Sequence, residues 1–201
     1  MPHIALLGDS IFDNSKYVVD EPDVCTLLQR VLPKDWNATL LAVDGATCSD
    51  VPRQLTGLPA NVTHLAISMG GNDALLAEHL LHAKVRSVSE ALLVLSSSLD
   101  DFERTYRAAI RDIMQTRLPI TVCTIYNCNI ADFEQAQVFK RAIALFNDVI
   151  LRTARDERLP VVELRSICTE ASDYANDIEP SMQGGRKIAE AIYSAHVLNA
   201  A

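Results

Sequence analysis

Five short runs rich in Val, Ile and Leu alternate with stretches whose apolar residues recur every three or four positions. This alternation constrains the fold more than any other feature of the chain. The strands read as residues 3–7, 38–43, 63–68, 119–125 and 160–164. Between and after them, residues 23–32, 88–116, 133–158 and 182–198 carry the helical period. In the first helix the stripe is Val24, Leu27, Leu28, Val31 and Leu32, and Pro33 stops it. The stripe of the 88–116 helix begins at Leu92 and Leu95, and that of the 133–158 helix includes Val138, Leu145 and Phe146. The Ser96-Ser97-Ser98 run is a place for the 88–116 helix to bend. Strands apolar on both sides, alternating with helices, predict a parallel sheet covered on both faces. The expectation is an α/β fold, a three-layer α/β/α sandwich around a five-stranded parallel sheet. No linker, repeat or low-complexity tract divides the 201 residues, so one domain over residues 1–201 is expected.

In such a sheet the carboxyl ends of all strands share one edge, and ligands bind there. Four loops on that edge carry distinctive polar residues. The first strand runs into Gly8-Asp9-Ser10-Ile11-Phe12-Asp13-Asn14. The second leads to Asp44-Gly45, the third to Gly70-Gly71-Asn72-Asp73, and the fifth, through a long loop, to Asn176-Asp177-Ile178-Glu179-Pro180-Ser181. Serine is a nucleophile, and glycine N–H groups and an Asn NH₂ are donors for a developing oxyanion. Each motif alone has an ordinary turn or cap reading. Together on one edge, in this order, they describe an acyl-transfer site.

The order and content of these blocks resemble the SGNH, or GDSL-type, hydrolase family. The resemblance spans nearly the whole chain, and the Gly8-Asp9-Ser10 and Gly71-Asn72-Asp73 blocks carry it most specifically. It implies a flavodoxin-like sheet and hydrolysis of a small ester, thioester or acetylated substrate through a Ser10 acyl-enzyme; the Asp and Glu residues show no paired spacing for a metal, and no cofactor is expected. It further implies an oxyanion hole built from the Ser10 and Gly45 N–H groups and the Asn72 side chain. Asp9, Asn14, Gly71 and Asp73 are the supporting residues around it.

One departure stands out. The family pattern closes with Asp-x-x-His-Pro, and here Glu179 precedes the proline while Asn176 takes the place of the acid, with Asp177 beside it. A carboxylate's ordinary pKa is about 4.3 against about 6.5 for imidazole, so Glu179 makes a weaker base unless burial raises it. An ionised Glu has no proton to donate, so its natural partner is a donor, which the Asn176 amide can be. Asp177 would raise the pKa of Glu179 by like-charge repulsion. The readings are therefore a Glu179/Asn176 exchange for the usual His/Asp pair, or a weak or silent member that binds an acylated or carbohydrate ligand. An acyltransferase is a third. His79 and His82 follow the third strand on the correct edge and are the alternative bases. His3 and His64 lie at the opposite edge, and His196 is far down the last helix.

The rest of the chain narrows the surroundings. A net charge of −8 disfavours nucleic acid and anionic lipid as partners. No apolar run has the length of a membrane span, and the start shows no leader pattern. Five cysteines without metal-like spacing suggest reduced thiols and a cytoplasmic location. Leu75, Leu76, Leu80 and Leu81 are candidates to line an acyl groove or fill core. Arg165 and Asp173 are read as an ion pair that orders the long last loop. The oligomeric state is not encoded in any of these features.

Overall fold

The computed structural model describes residues 1–198. Its sheet has five parallel strands in the order β2-β1-β3-β4-β5. These are β1 (His3–Gly8), β2 (Asn37–Leu40), β3 (His64–Ser68), β4 (Ile120–Cys123) and β5 (Val161–Val162). The expected strands all form, and the outer ones are shorter than their apolar runs. After Leu40 the N–H groups of both Leu41 and Ala42 donate to the Leu6 carbonyl at 2.8 Å, which ends the regular ladder of β2. β5 pairs with β4 only through Val161 and Val162.

The helices are α1 (Val24–Val31), α2 (Val51–Leu55), α3 (Gly71–Leu76), α4 (Val88–Met114), α5 (Phe133–Glu157) and α6 (Met182–Tyr193). Side-chain caps set their starts. Asp23 accepts from Thr26 N–H, Ser87 from Glu90 N–H, Asp132 from Gln135 N–H and Ser181 from Gly184 N–H. α5 ends where Arg158 turns left-handed at φ 57°. α4 runs unbroken through Ser96–Ser98, and the Ser96 and Ser97 hydroxyls bond back to the Leu92 and Val94 carbonyls. The final turn, Ser194–Leu198, widens into a π-helix.

Alternation along β1 divides the core. Ala5 and Leu7 face one layer, with Ile67, Val122, Tyr106, Ile110 and Phe146. Ile4 and Leu6 face the other, with Leu28, Leu164 and Ile188. Each Val, Leu, Ile or Phe among them stabilises the fold by about 1.5–3 kcal/mol when fully buried. Leu92, Val138 and Leu145 share the helical period but lie exposed. Their stripe is wider than the face that packs on the sheet, so period alone overcounted the core.

β1 connects outward to β2, and the chain then crosses back to β3 on β1's other side. The loops after β1 and β3 therefore diverge at a topological switch point, where open α/β sheets hold their ligands. Among the described residues no helix is long and apolar enough to cross a membrane.

Candidate active site

β1 ends at Gly8 with φ 127°, and a Cβ there would stand 1.6 Å from the Ser68 carbonyl oxygen. Only glycine fits, and the tight approach lets β1 turn sharply beside β3. A side chain that the sequence reading did not single out completes this corner. Gln54 of α2 donates from Nε2 to the Gly8 carbonyl at 2.7 Å and accepts the Gly8 N–H at 2.8 Å. Asp9 N–H then donates to the Ser68 carbonyl at 3.0 Å, and the Asp9 carbonyl receives Phe12 and Asp13 N–H. Ser10 sits at the top of this turn, 8 % exposed, on the wall of a cavity it shares with Asp9, Gly71, Asn72 and Glu179.

The loop after β2 is held by Asp13, whose Oδ2 accepts the Asp44 N–H at 2.9 Å. Gly45 follows with φ 81° and open space where a Cβ would stand, so conformation and not crowding selects glycine here. Asn72 donates from Nδ2 to the Ala46 carbonyl at 2.9 Å, which joins the loops after β2 and β3. Asp73 accepts the Cys48 N–H at 3.1 Å. Among the described residues, neither the Ser10 N–H nor the Gly45 N–H finds a protein acceptor.

Glu179 arrives from the far end of the chain. Tyr126 donates its hydroxyl to the Ile178 carbonyl at 2.6 Å, and Asn14 donates from Nδ2 to the Pro180 carbonyl at 3.1 Å. Ala175 N–H donates to the Glu179 carbonyl at 2.8 Å. The segment is thus pinned on both sides of the carboxylate. Glu179 is 4 % exposed, and its Oε2 has no hydrogen-bond partner. Burial lifts its pKa to about 7, Asp44 repulsion adds to the rise, and the Ser10 hydroxyl pulls it back. Ser10 and Glu179 line the same cavity, and among the described residues no hydrogen bond joins their side chains. Burial likewise lifts Asp9 to about 7; the Ile11 N–H opposes the rise, and Glu179 and Asp73 reinforce it.

The remaining expectations meet different fates. Asn176 Oδ1 accepts the N–H groups of Ile178 and Glu179, both at 2.9 Å. Its hydrogen bonds to Glu179 thus run through the backbone, in an Asx turn, and not from its NH₂ to the carboxylate. The Asp177 side chain points outward, and its carbonyl accepts Asn129 N–H at 2.7 Å. The carboxylate that raises Glu179 is Asp44, not Asp177. His79 and His82 are exposed and contribute no wall to the cavity. Leu75 and Leu81 line it, and Leu76 and Leu80 do not. Arg165 pairs with Glu163 at 2.5 Å, while Asp173 pairs with Lys187 at 2.7 Å, which corrects the Arg165–Asp173 pairing. Asp173 is fully buried and also accepts the Thr169 and Glu170 N–H groups. The nearest acid to Arg165 in sequence took it, and Lys187, one turn inside α6, reached the loop instead.

A family model described as GDSL-like lipase/acylhydrolase matches residues 6–187. The chain belongs to that family. The matched span includes every loop of the GDSL-type site described above. Solved structures agree at the level of fold. An extracellular lipase from Streptomyces rimosus superposes with a TM-score of 0.71 at 18 % identity, covering 97 % of this chain and 99 % of its own. A phospholipase A1 from Streptomyces albidoflavus gives 0.72 at 16 % identity, over 96 % and 98 % of the two chains. The acetyl xylan esterase AlAXEase gives 0.72 at 17 % identity, over 97 % and 100 %. Comparison with curated proteins finds no match. Among the described residues, no group of three His, Cys, Asp or Glu side chains of this GDSL-type chain is arranged to hold a metal ion.

Proposed function

We propose that this family member is a serine acyl hydrolase that cleaves a small ester, thioester or acetylated substrate, with Ser10 as nucleophile and Glu179 as base. The observation that carries the reading is that Ser10 and the buried Glu179 line one cavity, where burial raises the Glu179 pKa to about 7. A base is most effective when its pKa lies near the working pH. Family membership and the fold neighbours support the acyl-hydrolase class.

In this reading Ser10 Oγ attacks the substrate carbonyl while its proton passes to Glu179. The Ser10 N–H, the Gly45 N–H and the second Asn72 N–H face the oxyanion of the tetrahedral intermediate. The intermediate collapses to the acyl-enzyme, and protonated Glu179 returns the proton to the leaving alkoxide or thiolate. Water repeats the sequence to release the acid. Asn176 acts as a positioning residue, because it fixes the backbone N–H of Glu179. Asp9, Asn14, Gly71 and Asp73 brace the loops. Five unpaired cysteines support the cytoplasmic placement, and the catalytic unit is taken as one domain over residues 1–201.

The competing reading is a silent member that holds an acylated or carbohydrate ligand in the same cavity. It draws on the exposure of His79 and His82, which leaves Ser10 without an imidazole from that loop. Mass spectrometry after mixing with p-nitrophenyl acetate separates the two. An acetyl adduct on the wild type, absent from Ser10→Ala, supports the hydrolase. No adduct, together with saturable ligand binding, supports the silent reading.

A further inference from the structure

The cavity at Ser10 extends away from the polar loops along α5. Phe139, Ala142, Ile143 and Phe146 line it, and they mark one face of that helix over about 10 Å. Behind it lies a second, smaller apolar cavity bounded by Leu95 and Leu99 of α4 and Leu145 of α5. Neither Ser10 nor Glu179 touches this second space. The two cavities share walls, and four apolar residues stand in both: Ala74, Leu81, Ala142 and Phe146.

We propose that Ala74, Leu81, Ala142 and Phe146 form a partition that sets the longest acyl chain the site accepts. This rests on the reading that the first cavity receives the acyl group of a Ser10 substrate. The four residues differ in how they hold the wall. Phe146 is buried and packs against Phe102 with ring centroids 4.9 Å apart, so it cannot swing aside without disturbing the core. Leu81 is half-buried on the 3₁₀ turn Glu78–His82, away from the sheet. Ala74 and Ala142 each contribute only a methyl group to the wall. Glu78 also reaches both cavities, so a chain with a carboxylate at its tip meets a like charge there. The substrate class is therefore an acyl chain with a neutral tip, seated in the first cavity and stopped at the partition.

Burying one further methylene is worth about fourfold in affinity, the equivalent of ~0.8 kcal/mol. The gain stops where the chain meets the wall. Two substitutions move that stop in opposite directions: Leu81→Ala joins the cavities, and Ala142→Phe closes the first one early. The readout is the chain length at which the rise ends, measured in two ways. The first is kcat/KM over p-nitrophenyl esters from acetyl to dodecanoyl. The second is the affinity of straight-chain 1-alkanols for the Ser10→Ala background, by displacement of a fluorescent apolar probe, which needs no catalysis. The break is expected at longer chains in Leu81→Ala and shorter chains in Ala142→Phe. If alkanols shift in this way while no ester is turned over, the partition stands and the catalytic reading fails. A break at the same length in all three proteins, or no alkanol binding, overturns the partition.

Discussion

Asn14 Nδ2 donates to the Pro180 carbonyl at 3.1 Å, while its Oδ1 accepts the Val24 N–H at 3.0 Å. One fully buried amide thus ties the Ser10 loop, the start of α1 and the residue after Glu179 into a single unit. Asn14→Ala leaves a buried N–H and a buried carbonyl without partners. Each such loss costs about 1–3 kcal/mol. Urea unfolding should show a loss of about 2–6 kcal/mol for the two groups together, and kcat should fall more than KM rises, because Glu179 loses its placement and not the substrate its cavity.

The raised pKa of Glu179 sets the direction of the pH profile. Below about 7 the carboxylate is protonated and cannot accept the Ser10 proton. The kcat/KM for a neutral ester should therefore rise with pH through about 7 and level above it. Asp9 lies close enough to influence Glu179, so the observed midpoint belongs to the pair. A profile that is flat between pH 5 and 8 would count against a carboxylate base.

Burial of Asp9 also has a stability signature. Its folded pKa of about 7 stands above its ordinary value of 3.8. The folded state then binds a proton more readily than the unfolded chain across that interval, so stability falls as pH rises from about 4 to about 7. Asp9→Asn removes this penalty and keeps an acceptor for the Ile11 N–H. Thermal unfolding should find the variant more stable than wild type at pH 8, by a few kcal/mol at most, about 1.4 kcal/mol for each pKa unit removed. The difference should shrink toward pH 4.

Asp173 and Lys187 give the opposite sign. Burial alone would raise Asp173, but Lys187, Gln183 and the Thr169 and Glu170 N–H groups hold it below the usual carboxylate range. Its contribution is present above about pH 4 and is lost as pH falls through the folded pKa. Breaking a buried pair by removing one partner costs about 3–5 kcal/mol, and Lys187 is partly exposed, so Asp173→Asn should cost near the lower end. Denaturant unfolding at pH 7 checks the size, and repetition at pH 3 should show the gap narrowed.

Gly184 is a steric test of the same region. A Cβ there would stand 2.1 Å from the Asp173 carbonyl oxygen, a backbone atom that cannot move aside cheaply. Gly184→Ala should destabilise the protein by at least ~2 kcal/mol even though alanine is the better helix former. A neutral or stabilising effect in thermal unfolding would contradict the packing of α6 on the loop.

The strand and helix layers were legible because β1, β3 and β4 are apolar on both faces and the helices carry an apolar period of three to four residues. Ser10, Gly45, Asn72 and Glu179 were legible as loop motifs at strand ends. What escaped were pairings decided by distance in space. Gln54 shows nothing in sequence of its double bond to Gly8, since a lone Gln in a short helix reads as surface. Tyr126 and Lys187 are silent for the same reason. Asn176 was read by its chemical character as a donor, and the backbone took its oxygen first, because the turn it closes is local and the carboxylate is not. Val138 and Leu145 were misplaced because a helical period gives the existence of an apolar face but not the width that a sheet covers.

The central claim is that Glu179 takes the Ser10 proton. Single-turnover acetylation by p-nitrophenyl acetate at pH 8, wild type against Glu179→Gln, tests it most directly. A positioned base contributes about 10²–10⁴-fold. A loss of that order in the acylation rate of Glu179→Gln, with the protein still folded, is the expected result. An acylation rate equal to wild type would contradict it.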